Sequence, residues 1–180
     1  MTDLPVSGER LTMALIEEAT RKSGLVWVTV GNERARAVWQ LWYGGAAYVV
    51  TGGAEQPLPT LETAGEPTST ITVTVPSKDT RGRLVSWRAR VTTVDPASEH
   101  WHTVAGELSA KRLNAPEPTG ELMERWAREC RIVRLEPTGE IAEGPGAMPA
   151  ASHAAPPPPS PATTAGRMPY VIGRRAGRRR

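Results

Sequence analysis

Four glycines in two pairs constrain this chain more than any other feature. Between Arg34 and Pro59 the sequence runs RARAVWQLWYGGAAYVVTGGAEQPLP, with Gly44-Gly45 between two alternating stretches and Gly52-Gly53 closing the second. In the first stretch Val38, Gln40 and Trp42 alternate with Ala37, Trp39, Leu41 and Tyr43, so successive side chains fall on opposite faces of a strand. Gly-Gly between two such stretches is a hairpin signal, because both positions accept positive φ. The pattern predicts one antiparallel hairpin from Arg34 to Thr51. Thr51-Gly52-Gly53 then lacks two Cβ atoms, which lets backbone N–H groups come close to a phosphate or carboxylate, although most such triplets are only turns.

The remaining elements are read from periodicity. Ser7 to Lys22 has Leu11, Ala14, Leu15 and Ala19 at helical spacing, with Ser7 as N-cap, Lys22 in the last turn and Gly24 past the end. Leu25 to Val30 reads as a buried strand that Gly31-Asn32 turns toward the next. Ser69 to Val75, STITVTV, alternates as a half-buried strand does. Arg83 to Val94 alternates over a length that can serve two sides of a barrel. Pro96 to Asn114 reads as a helix begun by Asp95-Pro96, Gly120 to Arg128 as a second, and Cys130 to Leu135 as the last strand. The order predicts an α+β domain: a small antiparallel barrel of five or six strands, with an N-terminal helix and helices before the last strand.

Composition narrows the function classes. The 180 residues allow one domain with some chain to spare. No apolar run approaches the roughly 20 residues of a membrane span, and MTDLPVSGER lacks the pattern of a secretory signal. The single cysteine, Cys130, allows no internal disulfide and argues against a cysteine-based zinc site, so a cytoplasmic location is expected. The net charge of +3 divides unevenly: residues 1–150 hold all 19 acidic residues against 16 of the 22 basic ones, and 151–180 hold six arginines. The body is therefore acidic by three charges, and nucleic-acid binding is not expected of it. We divide the chain into a barrel domain at 1–142, a Pro/Ala-rich linker at 143–166 containing Pro156 to Pro159, and an arginine-rich tail at 167–180 suited to an acidic partner.

Three strings, RARAVWQLWYGGAAYVVTGG, STITVTV and RGRLVSWRARVTTVDP followed by a helix, together resemble the pyridoxamine 5'-phosphate oxidase-like superfamily of flavin- and deazaflavin-binding split barrels. The resemblance covers about residues 8–137 and is strongest to its short actinobacterial members. It implies an FMN-binding type of split barrel that forms a homodimer, with FMN, or alternatively a deazaflavin coenzyme, at the dimer interface. It further implies hydride transfer at the flavin ring to a small-molecule substrate, with no catalytic residue assigned. On this reading Thr51, Gly52 and Gly53 would bind the cofactor phosphate, Arg36 and Lys78 would balance its charge, Trp39 or Trp42 would line the ring, and Gln40 would meet a ring edge.

The chain also departs from that pattern. Where phosphate-binding members carry a basic loop, it has GGAEQPLPTL, with Glu55 and two prolines. A carboxylate there is unfavourable to phosphate, and each lost cationic contact is worth about 1.5–3 kcal/mol. Other cations would have to serve: Arg36, Lys78, Arg81 or Arg83. The alternative function is a dimeric split barrel without a cofactor, acting as a binding or scaffold module whose tail docks on an acidic partner. His100 and His102, two apart on a helix, make a poor metal pair, and no metal site is assigned. Glu17-Glu18 and Glu121-Glu124 read as helix-surface charges, and Cys130 as a core residue.

Overall fold

The structure, a computed structural model, describes residues 4–62, 71–78, 82–113, 115 and 117–147. The arginine tail, nearly all of the linker, the first two residues of the STITVTV string and Arg81 lie outside the described residues. The described elements are α1 (Leu4–Lys22), β1 (Leu25–Val30), β2 (Arg36–Trp39), β3 (Leu41–Tyr43), β4 (Ala46–Thr51), α2 (Pro59–Glu62), β5 (Ile71–Pro76), β6 (Arg83–Thr93), α3 (Glu99–Lys111), α4 (Thr119–Glu129) and β7 (Arg131–Glu143).

Seven antiparallel strands form one sheet in the order β2-β1-β5-β6-β7-β4-β3. The two edge strands, β2 and β3, are consecutive in the chain and separated by Gln40 alone, so the sheet curls until its edges meet. The Gly44-Gly45 hairpin forms as expected, with φ of 52° and 79°, and pairs Leu41 with Tyr48 and Tyr43 with Ala46. Its first strand differs from expectation. Arg34 to Tyr43 is not one strand of that hairpin, because Arg36–Trp39 pairs with β1 instead, Val38 opposite Val26 and Arg36 opposite Val28. The cause is tertiary: Gln40 turns its amide onto the end of α1 and takes itself out of the ladder.

Both faces of part of the sheet are buried. Inside the barrel, Val26, Val28, Val38, Val49, Val73, Val85 and Val133 meet Ile71, Leu135 and Trp87, and α1 closes the interior with Ile16 and Ala19. Branched residues suit this pleated, enclosed surface. Outside, Leu41, Ala46, Tyr48, Val50 and Ile132 pack against Trp101, Val104 and Leu108 of α3 and Leu122 and Trp126 of α4. Strand β4 serves both cores, and all six of its residues are buried. Strand β1 does not: Val26, Val28 and Val30 face inward, whereas Leu25 and Trp27 are exposed.

Several boundaries differ from the sequence reading. Helix α1 begins at Leu4 with Pro5 in its first turn, where a missing N–H costs nothing, so Ser7 lies within the helix and is not its cap. Helix α3 begins at Glu99, not Pro96. Ser98 is its N-cap and accepts from Trp101 N at 3.1 Å, while Asp95 accepts from Ala97 N at 3.0 Å in the preceding turn. The helix ends at Lys111, which leaves Leu113 beyond it and exposed. Cys130 caps α4, its N–H donating to Trp126 O. The last strand runs on to Glu143 because its second half pairs with β6, Ala89 opposite Pro137 and Trp87 opposite Ile141.

Trp87 is wholly buried at the centre of the interior. Trp87→Ala is expected to lower the unfolding free energy by about 3–5 kcal/mol in urea melts, whereas Leu113→Ala changes it by less than about 0.5 kcal/mol.

Candidate functional site

The ends of α1 and α3 and the break between β2 and β3 enclose a groove of about 560 Å³. Arg21, Ser23 and Gly24 contribute from α1 and the residues following it, Trp39, Gln40 and Trp42 from the break, and Ala110 to Leu113 from the end of α3. Strand alternation sends the two half-buried indoles to different layers: Trp39 lies 6.2 Å from Trp126 of the outer core, and Trp42 packs edge-on at 6.4 Å against Trp87 of the inner one. Among the described residues, three cations and no carboxylate line the groove. Arg21 pairs with Glu18 outside it, at 2.6 Å, and Lys22 and Arg21 together hold the Glu18 carboxyl down to about 2. Arg112 stands over the Trp39 ring, 5.7 Å from its centroid.

Gln40 forms the floor. It is buried, and its Nε2 donates to Thr20 O at 2.8 Å and Ser23 O at 2.5 Å, satisfying two carbonyls at the end of α1. Its Oε1 is buried without a hydrogen-bond partner. The side chain the sequence reading offered to a ring edge thus has a structural task, which the alternation pattern could not reveal.

The Thr51-Gly52-Gly53 corner is separate from this groove. Thr51 is fully buried, and its hydroxyl donates to Gln56 O at 3.0 Å and accepts from Leu58 N at 2.9 Å. Gly52 and Gly53 take φ of 90° and 56°, and Gly52 O accepts from Glu55 N at 3.0 Å and from Cys130 Sγ at 3.3 Å. A Cβ on Gly53 would lie 3.1 Å from Cys130 Sγ and 3.2 Å from Glu129 O, so the glycine is needed for close packing against the end of α4. The anion at this corner belongs to the chain itself. Glu55 accepts from Trp126 Nε1 at 3.0 Å and Arg125 Nη2 at 3.1 Å on one oxygen, and Arg112 Nε stands 3.2 Å from the other. Arg125 in turn binds Glu117 at 2.6 Å, which raises its pKa above the ordinary arginine value. With Thr51 engaged at both hydroxyl functions and a carboxylate in place, the corner does not fit a cofactor phosphate, whereas the tryptophan groove offers indole walls and cations.

Arg36 and Lys78 reach neither place. Arg36 is exposed on edge strand β2, and Lys78 lines a second groove beside Lys22 and Glu18 on another flank of α1. Arg83 pairs with Glu143 at 3.6 Å. His100 Nε2 lies 2.9 Å from the Tyr48 hydroxyl, which also accepts from Arg134 Nε at 3.2 Å, and His102 packs edge-on against Trp101. Among the described residues no three His, Cys, Asp or Glu side chains gather as metal ligands, and no helix is long and apolar enough to cross a membrane. Sequence reasoning missed Arg21, Lys111, Arg112 and Arg125. Their only signal was basic character at or near the ends of predicted helices, which dipole effects explain equally well.

No protein-family model matches the sequence, and no curated protein matches it either. Among solved structures, the chain is similar to the heme storage protein HutZ from Vibrio cholerae, with 13% identity and a TM-score of 0.50 over 70% of this chain and 89% of that one. Further similarities are to a Listeria innocua protein assigned as a pyridoxamine 5'-phosphate oxidase (13% identity, TM-score 0.48, 72% and 97% coverage) and to an F420 reductase (17%, 0.44, 68% and 92%). The curled seven-stranded sheet with its four helices is the α+β split-barrel fold that the sequence resembles.

Replacing Gln40 by leucine keeps its volume but removes the buried donor shared by Thr20 O, which keeps only its bond from Ser23 N at 3.1 Å, and Ser23 O. The variant is expected to lose about 1–3 kcal/mol of stability in urea melts without any ligand present.

Proposed function

We propose that this split barrel holds an anionic flavin, FMN or a deazaflavin coenzyme, in the groove at Trp39 and Trp42 and acts in hydride transfer with a small-molecule substrate in the cytoplasm. The observation that supports this reading is the meeting, among the described residues, of two half-buried indoles with three cations and no carboxylate in one groove. A planar ring stacks on indole, and a phosphate or carboxylate takes hydrogen bonds from Arg21, Lys111 and Arg112. When bound, the coenzyme would supply the ring that gives or takes a hydride; the chain's own residues would bind it, orient it and keep water from it. Gln40 supports the floor. Arg36, Lys78, Thr51, Gly52 and Gly53 have no direct contact with the ligand in this proposal.

The same reading takes the protein as a homodimer. Trp27 is 43% and Leu25 44% exposed, and across the strand pair they lie opposite Ala37 and Trp39. An apolar stripe therefore runs along the outer face of β1 and β2 to the groove, so a second copy seated on it would cover the groove's open side. A second reading, a dimeric binding module without a coenzyme, is favoured by Glu55 standing where the resemblance implies phosphate; the tail at 167–180 would then dock on an acidic partner.

An absorbance scan of the purified protein, followed by titration with FMN and with the deazaflavin coenzyme, separates the two. Saturable binding of either is expected, weakened about tenfold or more by Lys111→Ala and unmoved by Arg36→Ala. A colourless protein that binds neither selects the binding module. Trp27→Asp is expected to convert the dimer to a monomer in sedimentation experiments and to weaken coenzyme binding with it; an unchanged dimer would place the interface elsewhere.

A further inference from the structure

Glu55 is the acidic residue that the sequence places where phosphate-binding cations are expected. Its side chain is only 1% exposed, and it is not among the residues lining the groove. It nevertheless touches the groove through one intermediary. Arg112 leaves the end of α3 as its C-cap, with its guanidinium over the Trp39 ring and its Nε 3.2 Å from Glu55 Oε2, while Nη1 donates to Leu113 O at 3.3 Å. The contact with Glu55 is an ion pair rather than an aligned hydrogen bond, since neither atom has a hydrogen-bond partner.

The seat of that carboxylate is rigid. Its other oxygen accepts from Trp126 Nε1 and Arg125 Nη2. The next residue, Gln56, clamps Trp39 from behind: its Oε1 accepts from Trp39 N at 2.8 Å and its Nε2 donates to Trp39 O at 2.9 Å. One loop thus fixes both the indole and the guanidinium above it. An arginine at a helix end otherwise samples many rotamers, and ordering it on ligand binding subtracts from affinity.

We infer that Glu55 is a positioning residue: it pins Arg112 over Trp39 so that the guanidinium meets the phosphate or carboxylate of an aromatic ligand lying in the groove. This rests on the groove being the ligand site. The residue that closes one anion corner thereby orients the donor of another. Arg125, shared with Glu117, engages the other Glu55 oxygen, which leaves Oε2 to direct Arg112.

The test uses the full chain with FMN and with riboflavin, which lacks the phosphate. Glu55→Gln is expected to weaken FMN binding about tenfold and leave riboflavin binding unchanged. A cycle with Arg112→Gln completes the measurement: the double variant should bind FMN no more weakly than Arg112→Gln alone. Equal losses for both flavins, or losses that multiply in the double variant, would overturn the inference. Should Glu55→Gln not fold, Arg112→Lys keeps the charge without the planar stack and is expected to lose FMN affinity; wild-type affinity there would sink the idea. The Trp39 indole N–H signal in the ligand-free protein gives a readout independent of binding. If Glu55→Gln and Arg112→Gln shift it alike while the wild type binds neither flavin, the positioning stands and the groove reading falls; a signal that Glu55→Gln does not move refutes the positioning itself.

Discussion

The side-chain amide of Gln40 carries the constraint on which the rest of this fold depends. A ten-residue alternating stretch would form one strand of a flat hairpin if nothing interrupted it. By donating to Thr20 O and Ser23 O, Gln40 ties the interruption to the end of α1, and the stretch becomes two edges of one sheet. The same two bonds hold α1 where Ile16 and Ala19 fill the barrel interior. Closure, plugging and the groove floor are therefore one event, and the unpaired Oε1 is the cost of it.

Charge in this molecule acts through direction more than through sum. Around Glu55 two arginines and a second carboxylate, Glu117, nearly cancel, so the cluster adds little net attraction for an anion. Removing one partner from such a buried group is strongly destabilising, about 3–5 kcal/mol, because the remaining charges are left uncompensated. The cluster couples the loop after β4 to the ends of both outer helices. It also converts the Thr-Gly-Gly corner from an open cradle into a filled one.

Much of the fold was legible in the residues, and the reasons for the rest are specific. Gly44-Gly45 adopts the two positive φ values its hairpin needs, and Ile71, Val73 and Val75 face inward, alternating with Thr72 and Thr74, as the pattern requires. These are local rules. The split at Gln40 was not readable, since it arises from a contact with residues 17 and 20 positions away. The length of β7 was hidden by Pro137, which normally argues against a strand interior but here sits opposite Ala89 at an irregular register. For the site, Trp39, Gln40 and Trp42 come together as neighbours in sequence do, whereas Arg36, Lys78 and the Thr51 corner are dispersed. Proximity along the chain suggested one site; the break in the strand and the engaged hydroxyl of Thr51 separate the parts.

The position of β7 has a consequence for the order in which the protein is made. It is the last of the described strands, yet it lies inside the sheet, with β6 on one side and β4 on the other. Until residues 131–143 have been synthesised, the sheet exists only as two unjoined pieces, β2-β1-β5-β6 and β4-β3, each presenting a bare hydrogen-bonding edge. The nascent chain carries the β4 edge from residue 51 and the β6 edge from residue 93 until β7 follows, and that single insertion joins both at once.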